Sequence, residues 1–336
     1  MRDPVAVLVT RGDRVESRHL GRLAVADGRG RLLAAIGDTD EAVFPRSAIK
    51  PFQALPLVES GALDASGCDA ADLALACASH NGEEIHISRV LAWLERAGLT
   101  EGDLRCGGHP PLLPAADAAR LKADRPVTPV FNNCSGKHAG MLVTARALGA
   151  PIESYLERDH PVQRRVDDAL REITGIDPLP VPGTDGCGVP SWPIPLDALA
   201  RAAARLAMPK GLPPSRAAAL TRIGDAMVAH PEMVAGSGRL CSALMRAAPW
   251  IVAKTGAEGV YLAGNRRNGH GMALKAVDGA TRAAEAMLLA SMSRLGWLDG
   301  VEPGALARFG EKPILNVAGA KVGRILVELA FLDGLA

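Results

Sequence analysis

Ser47 and Lys50 stand three residues apart in Arg46-Ser47-Ala48-Ile49-Lys50-Pro51. On a helix, two such positions share a face about one turn apart. The amine can then take the hydroxyl's proton, which makes a weak nucleophile useful at neutral pH. The chemistry this suits is attack on a carbonyl carbon, that is, acyl transfer. Two fixed residues recur by chance in a chain of 336, so the pair needs company.

Company follows in order. Ser135-x-Lys137 comes next, then Lys254-Thr255-Gly256. Penicillin-recognising hydrolases carry Ser-x-x-Lys, then Ser-x-Asn, then Lys-Thr-Gly on a strand. A lysine and a hydroxyl on a strand edge can bind a substrate carboxylate, while edge amides steady an oxyanion. The plain alternative for Lys254 is a solvated turn lysine. Ser79 opens Ser79-His80-Asn81-Gly82, which reads equally as a helix-end turn or as a second hydroxyl activated by Lys254. A lysine in a crevice can serve that role when desolvation leaves it neutral. Arg46 suits bidentate binding of a carboxylate.

Cys134 and Cys187 sit in loops crowded with glycine and polar residues, unlike Cys77 in its apolar stretch. Buried inert cysteines usually occupy apolar faces. Cys134-x-x-Lys137 puts two donors one turn apart, and Cys187 lies beside Asp185. Two thiolates suit zinc, whereas a lysine ligand must first lose its proton. Three readings stand: a metal site, a redox-prone thiol pair, or loops that shape a substrate pocket. His138 either binds substrate or caps its helix.

The bulk numbers narrow the class. Lys and Arg total 38 against 37 for Asp and Glu, so no basic excess exists to favour nucleic acid or an anionic membrane. A small-molecule substrate is expected. Met1-Arg2-Asp3-Pro4 has no apolar signal core, and no apolar run reaches membrane-spanning length. A cytoplasmic protein with reduced cysteines is the expectation.

The elements that must position these residues are strands at both ends with helices between. Val5–Thr10, Val15–Ala26 and Leu32–Ile36 read as an antiparallel meander. Ser47–Ser60 reads as a helix kinked or stopped near Pro56, with Ser47 at its N-terminus, where the helix dipole favours an oxyanion. Ile87, Leu91 and Leu94 recur at helical spacing. Helices follow over about Ser135–Leu148, Leu196–Leu206 and Ser215–Ala229, then strands at Trp250–Ala253, Gly259–Ala263 and Gly271–Val277. Thr281–Leu295 and Val322–Leu332 read as helices. The pattern predicts an α+β fold: an antiparallel sheet from both termini with a helical lobe. It is expected as a single domain in two lobes, the sheet lobe over about 1–45 and 250–336, the mainly helical lobe over about 46–249.

Phe44-Pro-Arg-Ser-Ala-Ile-Lys-Pro-Phe-Gln, Ser79-His-Asn-Gly-Glu, Asn132-Asn-Cys-Ser-Gly-Lys-His-Ala-Gly-Met, Asp185-Gly-Cys-Gly-Val-Pro and Lys254-Thr-Gly-Ala-Glu-Gly-Val together resemble the Rhizobium etli-type, or class 3, L-asparaginases of the asparaginase II family. The resemblance spans nearly the whole chain, and the Cys134 block is its most specific part. It implies a fold like that of serine β-lactamases and glutaminases, a homodimer, and hydrolysis of L-asparagine to L-aspartate and ammonia. It also implies two catalytic pairs, Ser47 with Lys50 and Ser79 with Lys254. Cys134, Lys137 and Cys187 match the family's zinc ligands, and Asp185 a polar residue beside that metal. Arg46, His138, Asp185, Thr255 and Gly256 form the expected substrate-binding set. Two rival readings fit part of these motifs: a glutaminase or penicillin-binding-type hydrolase, and a non-catalytic zinc-dependent binding protein.

Overall fold

The computed structural model describes residues 3–302 and 304–335. Met1 and Arg2 of the amino-terminal segment lie outside the described residues. The fold is α+β and divides into two compact units. A sheet unit comprises Met1–Ala48, Ile194–Met208 and Arg246–Ala336; a helical unit comprises Ile49–Pro193 and Pro209–Met245. The expected helical lobe therefore gives up its Leu196–Ala207 helix to the sheet unit.

Among the described residues, the sheet unit holds one antiparallel sheet of eight strands. Its order is Lys312–Leu315, Lys321–Val327, Val5–Arg11, Arg14–Ala26, His270–Ala276, Val260–Asn265, Ile251–Thr255. Leu32–Ile36 is a further partner of Arg14–Ala26. The long Arg14–Ala26 strand makes this possible. Its first half pairs with Val5–Arg11, and from Gly21 onward it pairs with His270–Ala276. That second half, Gly21–Ala26, is buried throughout, as expected of a strand covered on both faces.

The covering is done by two helices rich in small residues. Cross-strand partners share a face, and Gly21 is paired with Ala276. A Cβ at Gly21 would lie 2.4 Å from Met287 of the Thr281–Arg294 helix. Gly271 is an odd number of residues from Ala276 and so faces the other way. A Cβ there would lie 2.0 Å from the Ala204 nitrogen, and one at Gly264 would lie 2.5 Å from the Ala203 carbonyl oxygen. The Leu196–Ala207 helix thus lies almost on the strand backbone, which explains why alanine and glycine replace aromatic bulk here. Any side chain at Gly271 must push the helix away, and overpacking of this kind costs about 1–3 kcal/mol or more.

The carboxyl-terminal stretch corrects an expectation. Val322–Leu332 forms no long helix; Lys321–Val327 is a strand between Lys312–Leu315 and Val5–Arg11, followed by the short helix Leu329–Leu332. A short apolar run does not distinguish helix from buried strand by periodicity alone. The strand Lys312–Leu315 had no sequence expectation at all.

The helical unit is built around Ser135–Ala147, whose first eleven residues are all buried. Gly136 and Gly140 are one turn apart on it. A Cβ at Gly136 would lie 2.4 Å from the Leu75 carbonyl, and Gly140 sits against Leu57, Trp93 and Ala76. The Ala70–Ala76 helix can therefore press close to the central one. It starts at a capping box, with Asp69 and Asp72 each accepting the other's backbone N–H. Buried Asp72 also binds Arg89 at 2.9 Å and Arg96 at 2.8 Å, so its charge is paired. Both arginines come from Glu84–Arg96, whose buried stripe is Ile87, Val90, Trp93 and Leu94. Leu91 is 37% exposed, so the expected stripe was rotated by one position.

Two histidines are sealed in this unit. The rings of His80 and His86 stack at 4.8 Å. His86 Nδ1 accepts the Glu83 N–H at 3.2 Å and Nε2 donates to the Glu232 carbonyl at 2.9 Å, which fixes the neutral ring. Burial pushes the His86 pKa from its ordinary 6.5 to about 4. Unfolded, His86 binds its proton through pH 6.5; folded, only near pH 4. Between these values the unfolded chain holds more protons, so the contribution is full above pH 6.5 and is lost as pH falls. By pH 4 the loss reaches about 3 kcal/mol. Unfolding measured from pH 7 to 4 is expected to show this destabilisation, and His86→Gln to flatten the dependence by up to one proton.

Candidate active site

Ser47, Lys50, Ser79 and Cys187 are delivered by short or irregular segments. Ser47 lies in the 3-10 turn Arg46–Ile49, and Lys50 begins the four-residue helix Lys50–Gln53. Pro51 and Pro56 each sit in the first turn of their own short helix, Lys50–Gln53 and Leu55–Glu59, so the expected long helix is two pieces joined at Ala54. Arg46 has φ +52°, a left-handed conformation that strains any residue but glycine.

The boundary between the two units falls between Ala48 and Ile49, so Ser47 belongs to the sheet unit and Lys50 to the helical unit. In the helical unit, Lys50 is 1% exposed and its Nζ donates to the Ala78 carbonyl, to Ser79 Oγ at 3.0 Å and to Cys134 Sγ at 3.1 Å. A serine hydroxyl that lies on Lys50 is thus that of Ser79, twenty-nine residues away. Its segment leaves the Ala70–Ala76 helix, and its backbone N–H is held by the Val234 carbonyl at 2.9 Å.

Cys134, Lys137 and His138 come from the start of the central helix. Cys187 comes from the turn between Gly183–Thr184 and Pro190–Ser191. Lys137 Nζ lies 3.0 Å from Cys187 Sγ. The interaction of Cys134 with Cys187, with Lys50 and Lys137 close by, holds the Cys134 thiol well below its ordinary 9.0 against the cost of burial. The same interaction, then burial, pushes Cys187 up. Burial works against the Lys137 ammonium, but the two sulfurs outweigh it and raise its pKa. Asp185 adds to that field from the turn preceding Cys187.

His138 is fully buried, and its Nδ1 lies 2.7 Å from the Tyr155 hydroxyl. That hydroxyl accepts the Arg105 N–H at 2.9 Å, so its own proton points to Nδ1. Nε2 then bears the ring proton, and it has no hydrogen-bond partner of ordinary geometry among the described residues, although the Cys187 sulfur is near. Burial pushes His138 down to about 4.

Two sulfurs and an amine gather here, and a donor set this soft fits zinc. Among the described residues no cluster of three His, Cys, Asp or Glu could hold a metal. The fit therefore depends on Lys137 serving as a third donor in place of its proton.

In the sheet unit, Lys254 is 1% exposed on the Ile251–Thr255 strand, opposite Leu262, and its Nζ donates to the Thr255 carbonyl at 2.9 Å. Gly256 follows. A Cβ on it would lie 2.3 Å from the Pro45 carbonyl oxygen and 3.3 Å from Ala48. The structure thus brings the Lys254-Thr255-Gly256 strand end against the turn that carries Arg46 and Ser47.

Sequence reasoning missed several groups. His80 donates from Nε2 to Ser135 Oγ at 2.9 Å, and His109 accepts the Asn133 N–H at 3.0 Å. Tyr155 orients His138. With only two tyrosines in the chain, its rarity was the one available signal.

An α+β protein with a buried hydroxyl–amine contact of this kind is equipped for nucleophilic attack at a carbonyl carbon. A family model described as L-asparaginase II matches residues 7–327. The chain belongs to the L-asparaginase II family, which supports an amidohydrolase with a small-molecule substrate. Among solved structures, Mglu in its native form is similar at 17% identity and a TM-score of 0.46, with 84% of this chain and 66% of that chain covered. Mglu in its glutamate form is similar at 18% identity and a TM-score of 0.45, with 84% and 63% covered. A β-lactamase from Mycobacterium bovis is similar at 14% identity and a TM-score of 0.46, with 81% and 94% covered. The chain spans about two thirds of the length of these Mglu chains. No curated protein sequence matches it. Among the described residues, no helix is long and apolar enough to cross a membrane.

Gly256→Ala is expected to displace the Pro45–Ala48 turn, since its methyl meets backbone there. Misplacement of about 1 Å can cost ~100-fold in rate. Amide hydrolysis should fall at least about tenfold while the thermal midpoint drops only a few degrees, as kinetics and calorimetry on the same sample would show.

Proposed function

We propose that the chain hydrolyses the side-chain amide of L-asparagine, releasing L-aspartate and ammonia. The observation that carries this reading is the buried 3.0 Å contact between Lys50 Nζ and Ser79 Oγ, in a chain of the L-asparaginase II family. Lys50 serves as base once it has given up a proton. Ser79 Oγ bonds to the amide carbon as its proton passes to Lys50, and the carbonyl electrons move onto oxygen. As the carbonyl re-forms, the C–N bond breaks and Lys50 returns the proton to the leaving nitrogen, so ammonia departs. Water then adds to the ester and gives its proton to the same amine. Collapse of that adduct frees the aspartate carboxyl and restores the serine.

Ser47 and Lys254 are proposed as a second serine–lysine pair. His138 and Asp185 in the helical unit, and Arg46, Thr255 and Gly256 in the sheet unit, are each proposed as substrate-binding residues. Zinc is proposed at Cys134, Lys137 and Cys187, where it would supply a fixed positive charge and Lewis acidity. In this reading Tyr155 orients His138 without touching the reacting bond.

Ser79→Ala is expected to lower ammonia release from asparagine at least ~10³-fold. Undiminished turnover by correctly folded Ser79→Ala would falsify the assignment. Asparagine and glutamine are assayed side by side; faster release from glutamine replaces the asparagine reading with a glutaminase. A covalent β-lactam adduct with no amide turnover replaces it with a penicillin-binding-type hydrolase.

Metal analysis of the purified chain is expected to find about one zinc per chain, and Cys187→Ser to remove it. The expectation follows the four-donor geometry usual for zinc. Metal-free protein would end the zinc proposal. Stoichiometric zinc in a chain that cleaves no amide would support a binding protein instead.

A further inference from the structure

Residues 78–83 have no regular secondary structure, yet Ala78 to Gly82 are buried. A buried irregular segment must find its hydrogen bonds elsewhere. Much of what holds this one comes from the distant segment 231–242. The Ser79 N–H donates to the Val234 carbonyl at 2.9 Å. Asn81 Nδ2 donates to the Ser237 carbonyl at 2.8 Å, and Arg239 Nη1 donates to Asn81 Oδ1 at 3.1 Å. One group joins both sides: Glu83 Oε2 accepts the Ser237 N–H at 2.8 Å and Asn81 Nδ2 at 3.2 Å.

Glu83 is seated on a glycine. Gly236 has φ +100°, and a Cβ on it would lie 2.3 Å from Glu83 Oε2 and 2.7 Å from Asn81 Nδ2. Its carbonyl and that of Pro231 accept from Ser242 Oγ at 2.8 and 3.0 Å, so the glycine turn is itself fixed. Bonds from backbone and side-chain N–H to a carboxylate are roughly twice as strong as neutral ones. The Ser237 bonds hold the Glu83 carboxyl below its ordinary range although burial pushes the other way, which keeps it anionic at neutral pH.

We propose that Glu83 is a positioning residue: by clamping Asn81 and the Ser237 backbone over Gly236, it sets where Ser79 Oγ sits relative to Lys50 Nζ. The inference rests on the reading of Ser79 as nucleophile. Glu83 touches no reacting atom in this scheme. It acts through Asn81 and the loop that ties the Ser79 backbone.

The test is steady-state kinetics of the full-length chain on asparagine, with calorimetry on each sample. Glu83→Ala is expected to lower kcat about 100-fold and Glu83→Gln about tenfold, because glutamine keeps an acceptor for the Ser237 N–H but not the charge; KM should change less than about twofold in both. Gly236→Ala, which pushes on the carboxylate without altering it, is expected to lower kcat in the same way. A merely structural role would move the thermal midpoint and leave the kcat of the folded fraction unchanged; that result overturns the proposal, as does a rise in KM with kcat intact. If Glu83→Ala does not fold, Glu83→Gln decides alone by the same criterion. Ser79→Ala run in parallel separates the two failures. If it abolishes turnover while the Glu83 variants keep kcat, only the positioning role falls. If it retains turnover, the nucleophile reading falls and takes the positioning role with it.

Discussion

A lysine ammonium buried to 1% exposure must place all three of its N–H groups, and Lys50 does so on the Ala78 carbonyl, Ser79 Oγ and Cys134 Sγ. An unpaired charge in that position would cost several kcal/mol. The requirement fixes three distant pieces of the helical unit at one point: the short helix after residue 49, the segment leaving Ala70–Ala76, and the entry to the central helix. The helical unit reads as the scaffold that lets these pieces meet. The same amine holds Ser79 Oγ and Cys134 Sγ within hydrogen-bond reach of one point.

Small residues make the meeting possible. Gly136 admits the Leu75 carbonyl, and Gly140 admits Leu57 and Trp93, so the central helix lies against the helix that leads to Ser79. The sheet unit uses the same device independently, with Gly264 and Gly271 under an alanine-rich helix and Gly256 against Pro45. Close backbone approach, more than large side chains, sets the spacing in both units. That accounts for a chain with 36 glycines and only 3% aromatic residues.

The electrostatics around Cys134 follow from this crowding. Two lysines and two thiols share a dry space, and their interactions push the Cys134 thiol down and the Cys187 thiol and Lys137 amine up. His80, His86 and His138 are kept neutral by burial in the same unit. The unit thus spends its buried cations on serine and sulfur and keeps its imidazoles as oriented, uncharged hydrogen-bonding groups. His80 steadies Ser135, and His86 ties Glu83 to the Glu232 carbonyl.

Several features were legible in the residues. Strands at both ends, the helices between them and the order of the serine, lysine and cysteine motifs all follow from periodicity and turn chemistry. The misreadings have physical causes. Val322–Leu332 was too short and evenly apolar for its period to separate strand from helix. Leu91 matched the helical spacing, but Val90 and Trp93 fill the buried face instead. Spacing suggests Ser47 as a neighbour of Lys50 but gives no hint that Ser79, twenty-nine residues on, also lies on its amine. Local spacing by itself determined which elements form and which reactive side chains they carry. Only the tertiary structure decided which hydroxyl, sulfur and amine touch, because close packing, here set by glycines remote in sequence from the groups they bring together, is not written in the spacing of any one motif.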